Sequence, residues 1–196
     1  GGFMMMPFGS AFAVNNLQIT QHQLPLLFMV AGISTLLVMP LIGKLSDKID
    51  KFIIFASASA WMIIMVSIYT NLGPTPIWIV IFFNVLMMAG IMSRMIPATA
   101  LTTAIPEMRD RGAFMSINSS LQQIAGGIAA AFAGMIVIQK NKFSPLEHYN
   151  TLGYIIICIT ILSVFMIYRV STLVKNKLKK EQPLKDRPVF TLEAEA

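Results

Sequence analysis

An all-α, polytopic membrane fold with six transmembrane helices is predicted for this chain by three features of its sequence. Of its 196 residues, 56% are hydrophobic and 12% charged, about half the charge of a soluble domain. The mean hydropathy is +0.70. The charges gather into short islands between apolar runs long enough to cross a bilayer, for which a helix needs about 20 residues. Hydrocarbon offers the backbone no hydrogen bonds, so each run must satisfy its own and is read as a helix.

In chain order the spans fall at about 1–19, 24–42, 52–69, 77–105, 113–138 and 149–174. Together they make residues 1–174 one six-helix unit, with 175–196 a cytoplasmic tail. That tail is rich in Lys, Glu and Pro and is expected to be disordered. The first run opens Gly1-Gly2-Phe3 inside apolar sequence, with no basic leader, and is expected to be cut short at its start. The fourth run is interrupted by Arg94. The links are short, which makes neighbouring helices antiparallel.

Orientation follows from the basic residues. One set of helix ends carries Lys44, Lys48 and Lys51, then Arg109 and Arg111, then the basic tail; the other carries Lys140 and Lys142. Basic residues near span ends stay cytoplasmic, so the first set and the C-terminus are expected there, in a cell membrane of bacterial inner-membrane type. The net charge of +6 is thus read as topology, and no nucleic-acid partner is expected. The single cysteine, Cys158, lies in an apolar run without metal-ligand spacing, and no metal or cofactor is expected.

The densest charge is GKLSDKIDK, residues 43–51. By itself such a loop cannot enter the bilayer and marks its boundary. An Asp at a helix end can also accept from free backbone N–H groups of a neighbouring helix. The stretch resembles the signature loop of the major facilitator superfamily, G-x-L-(A/S)-D-(R/K)-x-G-(R/K), at Gly43, Leu45, Ser46, Asp47, Lys48 and Lys51. Asp50 stands where that family usually has glycine, a departure expected to alter the tight turn. The resemblance implies one half of a twelve-helix transporter, in which Asp47 gates the cytoplasmic side, paired with Arg109 or Arg111. Drug–proton antiporters of this kind usually carry a glycine–proline pair in the fifth helix of the N-terminal half. The fifth span here has Gly126-Gly127 and no proline, so the chain is expected to be the C-terminal half, with the N-terminal six helices as its partner.

Candidate pathway residues follow. Arg94, in GIMSRMIPATA, is an intramembrane charge that normally faces a cavity or a partner. It either orients an anionic group or helps proton movement, or it snorkels or bonds backbone freed by Pro97. The fifth span has Ile117, Leu121, Ile124, Ile128, Phe132 and Met135 on one side. The opposite side holds Ser116, Asn118, Ser119, Gln122, Gln123, Gly126, Gly127 and Gly134. Its amides line a substrate path or bond between helices. Asn84 lies within the fourth span, and Asn15, Asn16 and Gln18 lie near the outer end of the first. Met4-Met5-Met6 and Met87-Met88 are adaptable apolar surface. Trp78 fits an interfacial anchor.

All nine acidic residues lie outside the spans, so a proton-titrating group is expected in the other half. No nucleophile or acid–base pair is seen at membrane depth, and an enzyme is not expected. The resemblance implies a secondary transporter working by alternating access, exporting small organic molecules in exchange for protons. An importer of sugars or organic acids, or a non-transporting receptor or assembly protein, is the alternative.

Overall fold

A computed structural model of the chain describes residues 2–141 and 144–185, with side chains as far as residue 176. Lys142, counted above in the topology argument, and tail residues 186–196 lie outside the described residues. The described chain is α-helical throughout, apart from short turns and one isolated antiparallel bridge between Ile138 and Glu147.

The first run is not one helix. It divides into α1 (Gly2–Met5), a 3₁₀ turn at Met6–Phe8 and α2 (Gly9–Asn15). Pro7 lies in the turn, where its ring removes a backbone donor. After α2 the chain reverses through Gln18 at φ 58°. The others follow as α3 (Leu24–Lys48), α4 (Lys51–Tyr69), α5 (Ile77–Thr103), α6 (Arg111–Ile136) and α7 (Tyr149–Lys185). Of these, α3, α4, α5 and α7 are long and apolar enough to cross a membrane. The broken α1–α2 stretch and the amide-bearing α6 fall short of that mark among the described residues.

Two boundaries depart from expectation. Helix α3 does not end at Ile42 but runs on to Lys48, so most of the charged stretch is helical and the link to α4 shrinks to Ile49 and Asp50. Lys, Leu and Ser continue a helix at little cost, and the backbone turns extended only at Ile49. Helix α7 likewise passes the expected end at residue 174 and stays helical to Lys185.

Packing is held by small residues at the crossings. A methyl at Gly90 of α5 would lie 3.1 Å from Trp61 Cδ1 and closer still to Met62, both on α4. One at Gly153 of α7 would strike Thr70 at the end of α4, and one at Gly126 of α6 would lie 3.1 Å from the Phe3 ring of α1. Glycine allows backbones to approach where lipid supplies no hydrophobic drive. The main core gathers at one end, where Phe12 stacks on Tyr149 with centroids 4.0 Å apart and packs against Tyr69 at 5.5 Å.

Candidate functional site: a charged helix end and an uncovered amide face

Two ends can be told apart by their contacts. At the aromatic end, Asn16 clamps the connection between α6 and α7. Its amide nitrogen donates to the Leu146 carbonyl at 3.1 Å, and its oxygen accepts the Leu146 N–H at 2.8 Å. The Ile138–Glu147 bridge lies beside this clamp, and the Thr75 N–H donates to the Leu17 carbonyl at 3.3 Å. Lys140 and Glu147 form an exposed ion pair at 2.7 Å. Their shared hydrogen bond lowers the Glu147 pKa and raises that of Lys140.

The opposite end carries the signature residues. Asp50 has φ −53° and needs no unusual backbone, so the expectation of a disturbed tight turn is corrected. It is the N-cap of α4: Oδ1 accepts the Phe52 N–H at 2.8 Å, leaving one fewer unpaired donor in the first turn. Its other oxygen meets Lys175 of α7 at 2.5 Å. The hydrogen bond from Lys175 is the largest cause holding the Asp50 pKa below the ordinary carboxylate value. Phe52 meets Tyr168 edge-on at 5.3 Å, so the start of α4 touches α7 at two points, Tyr168 and Lys175, about two helical turns apart along α7.

Asp47 is exposed on the last turn of α3, and Arg109 and Arg111 are exposed at the approach to α6. The ion pairs among the described residues are Lys140–Glu147 and Lys175–Asp50, so the expected pairing of Asp47 with either arginine is not formed here. Gly43 and Lys51 are half-buried, while Leu45 and Lys48 are exposed.

Arg94 is half-buried on α5 with its Cζ 5.2 Å from the centroid of Phe55 on α4. Its Nε is buried without a hydrogen-bond partner, as is Oδ1 of Asn84. A guanidinium over an aromatic face gains electrostatic attraction without using its donors, which leaves the fork of N–H groups available. Arg94 is not among the groups that bond the backbone near Pro97.

Helix α6 is turned opposite to a soluble amphipathic helix. Its large apolar stripe faces outward, with Ile117, Leu121, Ile124 and Phe132 each more than half exposed. The buried positions are small: Gly126 and Ala133. Gln122 and Gln123 are exposed and Asn118 is half-buried, so the amides meet no tertiary partner that hides them. Gln123 borders a crevice of about 370 Å³ between α6 and the chain start, shared with Phe3, Met6 and Pro7. Asn15, expected at the rim, is half-buried at the end of α2.

The structure thus separates most of the expected site residues into three groups, the charged end, Arg94 with Phe55, and the α6 amides, and leaves Asn84 on α5 and Asn15 on α2 outside them. Sequence reasoning missed the Asn16 clamp, the Asp50–Lys175 pair and the Phe3–Gln123 crevice. An Asp followed by a run of helix-compatible residues was a cap signal for Asp50; the other two join residues more than 100 positions apart, with no local trace.

No curated protein sequence and no solved structure matches the chain. The family model described as Major Facilitator Superfamily matches residues 1–194. With a signature stretch that closes one helix and opens the next, and four helices fit to cross a bilayer, the chain belongs to the Major Facilitator Superfamily of membrane transporters.

Proposed function

We propose that this membrane transporter is the C-terminal six-helix half of a secondary exporter, which moves small organic molecules outward in exchange for protons. The observation that carries the reading is the amide face of α6, where Gln123 borders a crevice, Gln122 is exposed and Asn118 is half-buried, so that none of the three is shut into a packed core. Such groups, set among apolar and aromatic side chains, are the usual chemistry of a small-molecule path. A second six-helix half covering this face would enclose the amides in a shared cavity, and rocking of the halves would expose it to each side in turn.

In this reading Arg94 contributes a fixed positive charge within this half, apart from the α6 face, and the coupled proton is carried by an acid of the other half. Asp47, with Arg109 and Arg111, acts as the cytoplasmic gate, pairing when that side closes. The Asp50–Lys175 pair keeps α4 and α7 together as the half moves. The C-terminus and the lysine-rich ends of α3 and α7 lie in the cytoplasm of the host cell, on the inner face of its membrane.

The test is transport by the full-length protein in proteoliposomes with an imposed pH gradient and ethidium or Hoechst dye as the probe. Addition of dye is expected to dissipate the gradient, and Gln123→Ala is expected to slow this several-fold with the melting temperature unchanged. Dye movement without proton flux would rule out the coupling. Dye movement that ignores Gln123 would remove α6 from the path.

A further inference from the structure

A second crevice, sharing no lining residue with the first, lies where α3, α4 and α5 meet. It encloses about 400 Å³. Its mouth is formed by Ile42, Leu45, Ile49 and Ile53, at the same end as the charged stretch, and it runs inward along α4 as far as Trp61. From Ile53 to Trp61 this is about 12 Å at the helical rise. Gly90 forms part of the far wall, where α5 approaches Trp61 and Met62 closely.

The polar groups of this wall are already satisfied within the protein. The Ser57 hydroxyl donates to the Ile54 carbonyl at 3.0 Å, and the Ser93 hydroxyl to the Ala89 carbonyl at 2.7 Å. Trp61 Nε1 donates to the Leu86 carbonyl at 3.3 Å. An occupant therefore needs no hydrogen-bonding group inside the crevice, and hydrocarbon alone fits it. The mouth differs. Lys48 immediately precedes Ile49, Lys51 lies two residues before Ile53, and Lys44 precedes Leu45. Of the two carboxylates within residues 43–51, Asp50 is engaged by Lys175 and the Phe52 N–H, which leaves Asp47 against the three lysines of that stretch.

We propose that this crevice is a binding site for one acyl chain of an anionic phospholipid of the cytoplasmic leaflet, with the headgroup phosphate held by Lys48 and Lys51. The occupant follows from the pairing of a dry hydrocarbon slot with a cationic mouth at the membrane boundary. A soluble substrate would find no polar partner within the slot, and a neutral lipid would leave the lysines without a counter-charge. The site is separate from the α6 face and stands whether or not the export reading holds.

The test uses the full-length protein purified in mild detergent, with native mass spectrometry against added phosphatidylglycerol or phosphatidylcholine. Phosphatidylglycerol is expected to be retained preferentially. The double substitution K48Q/K51Q is expected to weaken that retention by about tenfold. Ser57→Trp, which fills the slot from an exposed position, is expected to weaken retention of both lipids. Ser93→Phe, from the α5 side, provides the same test where Ser57→Trp fails to fold by circular dichroism. Equal retention of the two lipids, or loss on lysine substitution with no effect of either slot-filling variant, would overturn the site; the latter would mark a diffuse surface attraction.

Discussion

Lys175, in the C-terminal half of the last helix, sits 2.5 Å from Oδ2 of Asp50, while the other oxygen of the same carboxylate caps the helix that begins at Lys51. One acidic residue thus closes the N-terminus of α4 and fastens α7 to it. The pair is semi-exposed, with Lys175 63% and Asp50 29% accessible, so solvent screening keeps the ionic part small. The cap is the larger share.

This division predicts an ordered series. Asp50→Asn retains a capping oxygen and loses only the ion pair, so a loss of under about 1 kcal/mol is expected. Asp50→Ala loses both, for about 1–2 kcal/mol. Lys175→Gln should match Asp50→Asn, and the double variant should cost no more than either alone. Thermal denaturation of the four proteins in one detergent measures this. A Lys175→Gln loss equal to that of Asp50→Ala would show that the pair, not the cap, dominates.

The pH dependence has a definite sign. Because the folded pKa of Asp50 is lowered by Lys175, its contribution is fully present above the unfolded carboxylate value of about 3.9. It is lost as pH falls through the lower folded value. Melting temperature should therefore show no Asp50-dependent change between neutral pH and about pH 5. Below about pH 4, the gap between wild type and Asp50→Asn should narrow. A gap that widens on acidification contradicts the assignment.

Two glycine substitutions should differ although both add one methyl. At Gly90 the added carbon meets the Met62 thioether, which is flexible and can move aside. At Gly153 it meets Thr70, whose Cβ would lie at 2.9 Å; that side chain is β-branched, buried and bonded to the Val66 carbonyl at 2.8 Å. Overpacking costs about 1–3 kcal/mol, so Gly90→Ala is expected near the bottom of that range and Gly153→Ala near the top. Unfolding midpoints measured side by side decide the order.

Asn16 supplies both a donor and an acceptor to one residue of a distant connection. Asn16→Ala strands the Leu146 N–H and carbonyl, at a cost of about 1–3 kcal/mol. Hydrogen exchange at the Leu146 amide should accelerate in that variant while amides in the middle of α4 keep their protection. Uniform acceleration throughout would mean that the clamp holds the whole bundle rather than its end.

The exposed Lys140–Glu147 pair makes the contrast. Both partners lie in water, where such pairs contribute little. Glu147→Gln is therefore expected to leave the melting temperature unchanged, and a measurable drop would show that the Ile138–Glu147 bridge depends on the charge.

The sequence dictates the helical class, because an apolar backbone in lipid has no alternative to internal hydrogen bonding. It also determined the small and large sides of α6, since 100° per residue places Gly126 opposite Ile117 and Ile128 whatever surrounds them. Charge marks where a chain leaves hydrocarbon, not where its helix stops, so Lys44 to Lys48 extend α3 beyond the expected span end at Ile42. Only tertiary structure decided which charge meets which. Asp47 and Asp50 are three residues apart in one lysine-rich stretch, yet α7 delivers Lys175 to Asp50 and leaves Asp47 exposed. Helix crossing sets that choice, through close approaches such as Gly153 on Thr70. Those approaches depend on residues far apart in the chain, where local pattern carries no information.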